Sequence, residues 1–189
     1  MKTTIGYQIS GYDNGCYMTG SGSKLFAELK DIPKCEACGY RTDYRYTNKD
    51  FKFRRKKLDF SSTYDGVTIV SQRFKEFCIH HGYSNLVFAE LPKAVGFFQF
   101  YIKGNVLLFS AGLKEKLCKK CGQYESVVGP AIIAHNITEP LSDGFYQSDL
   151  WFASGNEKSP IWLISPTTRE KLNKEGFNNI CFNKIELNL

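Results

Sequence analysis

Two copies of one short pattern, Cys-x-x-Cys-Gly, constrain the fold of this chain more than any other feature of its sequence. The copies occupy Cys35–Gly39 (CEACG) and Cys118–Gly122 (CKKCG), and we call each of them a knuckle. Two sulfurs three positions apart can both reach a metal ion about 2.3 Å away, and the glycine allows a tight turn with positive φ. The pair predicts a structural zinc site, with Zn²⁺ as cofactor, formed by Cys35, Cys38, Cys118 and Cys121. The alternatives are a thioredoxin-like redox pair, two disulfides or four unrelated buried thiols.

The distance between the knuckles along the chain is unusual for a zinc site. The 79 residues from Gly39 to Leu117 separate Cys38 from Cys118, whereas about 15 to 20 residues separate the cysteine pairs of an ordinary zinc ribbon. We therefore expect the site to join two distant parts of one fold. The prediction is a single domain over residues 1–189, with a zinc-clasped segment of about 33–123.

Composition indicates a folded, strand-rich protein. The chain is 42% hydrophobic and 15% aromatic, with 15 Phe and 11 Tyr, which argues against disorder and favours strands. Residues 1–11 lack an apolar signal segment, and the richest apolar stretch, residues 94–102, is too short to span a bilayer. We expect a cytoplasmic protein with no membrane contact, in a reducing compartment that favours metal binding over disulfides. Cys78 and Cys181 lie among apolar residues and are predicted to be buried, whereas Cys16 receives no role.

Two segments repeat the order strand, serine, helix, glycine, strand. In the first, Ser71 is a favoured helix N-cap and Gly82 a favoured stop. In the second, Ser165 and Gly176 take these places within a C-terminal unit of about 161–189. A shift of 94 residues superimposes the two serines and the two glycines without a gap. The similarity indicates either a duplication or only the start and stop signals that two capped helices share.

These units decide the predicted fold class. Phe97–Ile102 and Val106–Ser110 flank Lys103-Gly104-Asn105, which predicts a β-hairpin between the two units. The sequence therefore predicts an α+β fold with a mostly antiparallel sheet, two short helices and a structural four-cysteine zinc-knuckle pair.

No catalytic motif is recognisable in the sequence. It contains no GxSxG, GxxxxGK[ST], GxGxxG or HExxH pattern. His80 and His81 end the first predicted helix, where the helix dipole favours histidine, and His135 lies in a loop without a nearby acid. A zinc ion bound by four thiolates has no open position for a catalytic water. We therefore expect a protein that is not an enzyme.

The two knuckles resemble those of the double-CXXCG motif proteins, a paralogous bacterial family best known from myxobacteria. Ile69–Phe77 also resembles the helix start V-S-x-R-F-x-x-x-L of a related group of immunity proteins from polymorphic-toxin systems, with Cys78 standing in place of the leucine. The resemblance extends in motif order from Cys35 to the C-terminus. It implies a small cytoplasmic immunity protein that binds and neutralises a cognate protein toxin.

Such a protein would act by covering a toxin with an aromatic-rich face, because aromatic anchors supply much of the affinity of protein interfaces. Residue type alone makes six aromatic residues in predicted loops the candidate partner contacts: Tyr40, Tyr44, Tyr46, Phe145, Tyr146 and Trp151.

A nucleic-acid-binding zinc ribbon is the alternative function. The net charge of +6 permits an acidic partner without requiring one. Lys52 and the run Arg54–Lys57 alternate with phenylalanine and leucine between Phe51 and Phe60. This pattern is typical of a nucleic-acid surface but equally of an exposed strand with a basic, solvated face.

Overall fold

The computed structural model describes residues 2–19, 32–53, 58–129, 131–133, 137, 139–177 and 179–188. Within these ranges the chain forms two helices, α1 (Gln72–His80) and α2 (Pro166–Glu175). The strands of the described chain are β1 (Lys2–Asp13), β2 (Phe60–Ser62), β3 (Thr68–Ser71), β4 (Leu86–Glu90), β5 (Phe97–Ile102), β6 (Val106–Leu107), β7 (Phe109–Ser110), β8 (Leu113–Leu117), β9 (Tyr124–Val128), β10 (Ile132–Ile133), β11 (Phe145–Ser154), β12 (Ser159–Ile164) and β13 (Ile180–Asn188).

One large sheet contains most of these strands. Its order is β4-β5-β3-β2-β1-β12-β11-β9-β8, with β13 also paired to β1 and β6 to β11. Only the pairs β1–β2 and β6–β11 are parallel among the described strands, and β7 and β10 form a small antiparallel sheet of their own. The prediction of an α+β fold with a mostly antiparallel sheet and two short helices is confirmed.

The two predicted strand-helix-strand units are present and share one topology. Helix α1 joins β3 to β4, and both strands pair antiparallel with β5 between them. Helix α2 joins β12 to β13, and both pair antiparallel with β1. Trp162 Nε1 donates to Thr68 Oγ1 over 2.8 Å, a contact between two residues that the 94-residue shift superimposes. The middle strand follows the first unit in the chain but precedes the second, so the repeat does not extend to it.

Both helices begin and end at their predicted signals. Ser71 Oγ accepts the amide of Phe74 at 3.2 Å, and Ser165 Oγ accepts that of Thr168 at 2.9 Å. Gly82 and Gly176 follow the helices with φ of +71° and +63°. Glycine adopts this conformation without the steric cost that a Cβ brings, which explains why glycine stands at the end of both helices.

The helices lie antiparallel over an aromatic core. Phe177, just after α2, packs on Phe74 and Phe77 of α1 with ring centroids 5.4 and 5.3 Å apart. Arg73, near the start of α1, donates to the carbonyl of Glu175 at the end of α2. The buried residues of this core are Ile9, Phe60, Val70, Phe74, Phe77, Cys78, Phe98, Phe100, Ile102, Phe145, Trp162, Ile164 and Leu172.

The predicted hairpin between β5 and the segment after Asn105 is wrong. Gly104 and Asn105 do form a turn with positive φ, +78° and +46°. However, β6 pairs in parallel with β11, and β7 pairs with β10. The two strands that pair with β5 are β3 and β4. Gln147 of β11 holds the turn instead: its Nε2 donates to Gly104 O and its amide to Asn105 O. Turn residues identify a change of direction but not the strand that pairs afterwards.

Asp143, in the loop before β11, ties both helices to the sheet. Its Oδ1 accepts the hydroxyls of Thr168 at 2.8 Å and Tyr83 at 3.0 Å, and its Oδ2 accepts Lys171 Nζ at 2.5 Å. Burial alone would raise the pKa of this carboxyl, but these three donors outweigh burial and hold the pKa below its ordinary value.

Replacing Asp143 with Asn should lower the free energy of unfolding by about 1 kcal/mol at pH 7, because charge-assisted hydrogen bonds are lost. A carboxyl with a depressed folded pKa stabilises the fold above its unfolded pKa, near 3.9, and this contribution disappears as pH falls through the folded value. Urea unfolding should therefore show the wild-type and Asp143→Asn curves converging below about pH 4. If the difference in free energy of unfolding between the two proteins stayed constant down to pH 3, this would contradict a stabilising role for the Asp143 charge.

Gly11 allows β1 and β2 to approach closely. A Cβ at this position would lie 2.6 Å from Ser61 Cα and 2.8 Å from Phe60 O, both of which are backbone atoms. Because backbone cannot rotate away as a side chain can, the strands themselves would have to separate.

We expect Gly11→Ala to destabilise the fold by about 3 kcal/mol, since it overpacks the β1–β2 contact. Gly129→Ala is the matched control, because its new Cβ would lie 3.5 Å from Ala131 N, the nearest atom of the described residues, which is an ordinary contact. That control should change the free energy of unfolding by less than about 0.5 kcal/mol. Equal effects of the two substitutions in chemical denaturation would contradict the close approach.

Candidate metal centre

The fold brings the four knuckle cysteines together. Cys35 Sγ lies 3.9 Å from Cys118 Sγ, and Cys38 Sγ lies 3.7 Å from Cys121 Sγ. All four sulfurs lie within 4.8 Å of one another, and none of these four cysteines forms a disulfide. A tetrahedron of sulfurs around a metal ion with bonds of about 2.3 Å has edges of about 3.8 Å. The four cysteines are therefore positioned to bind a metal ion.

Each knuckle is the tip of a small hairpin with the same backbone hydrogen bonds. In the first, the amide of Gly39 donates to Cys35 O and the amide of Cys35 to Tyr40 O. In the second, Gly122 donates to Cys118 O and Cys118 to Gln123 O, all four bonds being 2.8 or 2.9 Å long. Gly39 and Gly122 have φ of +74° and +72°. This positive φ explains the glycine after each cysteine pair.

Backbone amides prepare the first cysteine of each knuckle to bind metal as a thiolate. The amides of Cys121 and Lys120 lower the pKa of the Cys118 thiol to about 6. Those of Cys38 and Ala37 likewise lower the pKa of Cys35. Burial raises the pKa of Cys121 and raises that of Cys38 to about 12. A divalent ion removes this penalty, because it stabilises all four thiolates together.

Direct hydrogen bonds also hold the first knuckle against the rest of the fold. Arg41 is 2% exposed, and its Nη2 donates to the carbonyls of Lys158 at 2.9 Å and Asp65 at 3.2 Å. Its backbone amide donates to Asn156 Oδ1, and its carbonyl accepts the side chain of Gln123, the residue after the second knuckle. The segments that follow the two knuckles are therefore also joined by a direct hydrogen bond.

Lys158 places a buried positive charge beside the sulfurs. Only 3% of this residue is exposed; its Nζ donates to Tyr124 O and lies 4.6 Å from the centre of the Tyr40 ring. Burial lowers the pKa of Lys158, while the Cys38 and Cys121 thiolates oppose this effect. Four thiolates and one divalent ion carry a net charge of −2, which this ammonium partly neutralises.

The sequence alone gives no sign of some of these supporting residues. Gln123 directly follows the second knuckle, so its position could have suggested a supporting role. Arg41 and Lys158 are ordinary basic residues in the sequence. Lys158 in particular reaches the site from a segment 35 residues beyond Gln123, through a pairing that only the folded chain shows.

The six predicted contact aromatics divide into two groups. Phe145 is 0% exposed and packs on Phe74 and Phe100, so this residue belongs to the core and offers no surface to a partner. The other five, Tyr40, Tyr44, Tyr46, Tyr146 and Trp151, are half-buried. Tyr44 and Trp151 contact each other at right angles with centroids 4.9 Å apart, and Tyr44 OH donates to Gln147 Oε1.

The structure says less about the other residues that the sequence analysis singled out. Arg54–Lys57, most of the basic cluster, and His135 lie outside the described residues. Cys78 is fully buried as predicted, and Cys181 is half-buried. Cys16 is also buried, near the Lys52 carbonyl. Neither described helix is long and apolar enough to cross a membrane.

Comparison of the chain with protein-family models and with curated proteins finds no match. The resemblance to double-CXXCG and immunity proteins therefore stays a prediction that rests on the motifs themselves.

Cys35→Ser should abolish metal binding, because three sulfurs leave the tetrahedron incomplete. We expect bound metal to fall from about one equivalent per chain to nearly zero, since binding and folding are coupled. The free energy of unfolding should fall by about 3 kcal/mol, or about 8 °C in Tm at this chain length. Elemental analysis and thermal unfolding measure the two effects.

Cys181→Ser is the matched control, since Cys181 lies on β13 outside the cluster. It should retain one metal ion and nearly wild-type stability. A wild-type protein that folds normally and binds no metal would contradict the metal centre.

Proposed function

We propose that this protein is a non-enzymatic immunity protein that binds and neutralises a cognate protein toxin, and that a structural zinc ion holds its fold together. The cluster of four cysteine sulfurs at the tips of two distant hairpins carries this proposal.

Zinc is the metal that this set of ligands favours. Four thiolates in a tetrahedron are typical of structural zinc or of an iron–sulfur centre, and zinc needs no further ligand or electron-transfer partner. All four positions are taken by protein sulfurs, so no position remains for a reacting water or substrate. This supports a structural rather than a catalytic role for the metal.

The doubled knuckle and the helix start at Ser71 support the immunity function, because the knuckles resemble those of the double-CXXCG motif proteins and the helix start resembles that of a related group of immunity proteins. The mechanism would be occlusion: a rigid surface covers the toxin's active site or the route of its substrate. Of the predicted contacts, the half-buried Trp151 and Tyr44 are the best anchors. Each ring is partly exposed, and each is held in place by its contact with the other.

Protection from a toxin encoded beside this gene is the direct test. Cells that co-express the two proteins should survive, and Cys181→Ser should protect them as well as the wild type does. Cys35→Ser should protect at least about tenfold less well, because loss of metal destabilises the fold. Elemental analysis of the purified wild-type protein should show zinc. Survival without this protein, or a neighbouring gene that encodes no toxin, would contradict the proposal.

A further inference from the structure

A groove of about 320 Å³ lies beside the second knuckle, between β9 and β11. This volume is at the lower end of the range for ligand sites and suits a single side chain better than a whole cofactor. The residues that give the groove its chemistry are Gly122, Tyr124, Val127, Asp149, Trp151 and Lys158.

A bulge in β11 creates one side of the groove. Gln147 pairs with Trp162, but Trp151 pairs with Pro160, so β11 has two extra residues between them. Ser148 replaces the interrupted ladder: its Oγ accepts the amide of Ile161 at 2.8 Å and donates to Leu150 O at 2.6 Å. Bulges re-aim side chains that a regular strand would direct elsewhere. Here the bulge lets Leu150 line the same groove as Asp149 and Trp151, whereas a regular strand would direct Leu150 to the opposite face.

The charges that line the groove favour a cation. Asp149 is exposed, and its Oδ1 accepts the amide of Phe109 at 2.8 Å, which fixes the carboxylate; among the described residues, no donor contacts its Oδ2. Lys158 also borders the groove, but its ammonium donates to Tyr124 O and lies over the Tyr40 ring. With a divalent ion bound, the four-cysteine cluster at the groove wall would add net negative charge, because four thiolates exceed the charge of one divalent ion.

Trp151 supplies an aromatic face for such a cation. Its ring meets Tyr44 at 90°, and a perpendicular contact of this kind covers at most one face of the indole. A guanidinium or ammonium group is attracted to the face of an aromatic ring, most strongly to tryptophan.

Exposed apolar residues on the β8–β9 hairpin, which borders the groove through Tyr124 and Val127, indicate that the cation belongs to a protein. Leu113 and Val128 lie opposite each other in the β8–β9 hairpin and are 47% and 37% exposed, while Leu117, opposite Tyr124, is 50% exposed. A charged pocket next to exposed apolar side chains is typical of a protein interface.

We propose that this groove receives an arginine or lysine side chain of a protein partner, which pairs with Asp149 and stacks on Trp151. This inference rests on the proposed function, in which that partner is the toxin and the metal-bound knuckle forms one wall of the site.

Tryptophan fluorescence tests the groove without the toxin. The chain has two tryptophans; Trp162 is buried, so Trp162→Phe leaves Trp151 as the reporter. N-acetyl-arginine amide should change its fluorescence saturably, and the neutral isostere N-acetyl-citrulline amide should bind at least about tenfold more weakly, since charge-assisted contacts are lost. If Trp162→Phe does not fold, the two indole N–H resonances of the wild-type protein give the same information: only that of Trp151 should shift.

Asp149→Asn should weaken arginine amide binding about fivefold or more, because the charged partner is removed. Asp50→Asn is the control, since Asp50 is an exposed carboxylate that pairs with Lys93 and does not line the groove. Equal responses to the arginine and citrulline compounds, no saturable response, or equal effects of the two Asp variants would overturn the inference.

Metal content and toxin protection, measured on the same proteins, keep the two proposals apart. A protective, metal-bound protein without an arginine response overturns the groove and leaves the proposed function standing. An arginine response that depends on Asp149, in a protein that gives no protection, supports the groove and overturns the proposed function.

Discussion

The cluster of four cysteine sulfurs holds the β8–β9 hairpin in place. This hairpin joins the main sheet through only two residue pairs between β9 and β11, and β8 pairs with β9 alone among the described strands. Its tip is the second knuckle, which meets the first knuckle across the cluster and through the bond from Gln123 to Arg41. Closing so long a loop costs chain entropy, and the free energy of metal binding offsets that cost because it is part of the free energy of folding.

The aromatic core and the four-cysteine cluster stabilise different parts of the fold. Phe74, Phe100 and Phe145 pack beneath two capped helices, and this core is distinct from the knuckles. The helices and their strands therefore form a scaffold whose packed core would not be directly changed by loss of the metal. The knuckles instead position surface features: one wall of the groove, the buried ammonium of Lys158 and the exposed leucines of β8. In the proposed function, metal binding and partner binding would therefore be coupled through this one part of the molecule.

Local signals predicted local structure well. Ser71, Ser165 and the glycines after each helix act within a few residues, through caps and positive φ, so their effects can be seen in the sequence. The hairpin prediction after β5 failed because strand pairing is decided by distant residues, here Gln147 and the strand that carries it. Phe145 was predicted to contact a partner on the basis of residue type, which does not distinguish a core aromatic from an exposed one.

The sequence by itself determined the ligand set, since paired cysteines with a trailing glycine can form one kind of turn and present two sulfurs together. It also determined the two capped helices and the predominance of strands. Only the tertiary structure decided which residues support the metal centre, because Arg41 and Lys158 reach it through contacts between distant segments. It likewise decided that Asp149, Leu150 and Trp151 all line one groove, since three successive residues do so only at a bulge, and the register of this bulge is set by the neighbouring strand β12.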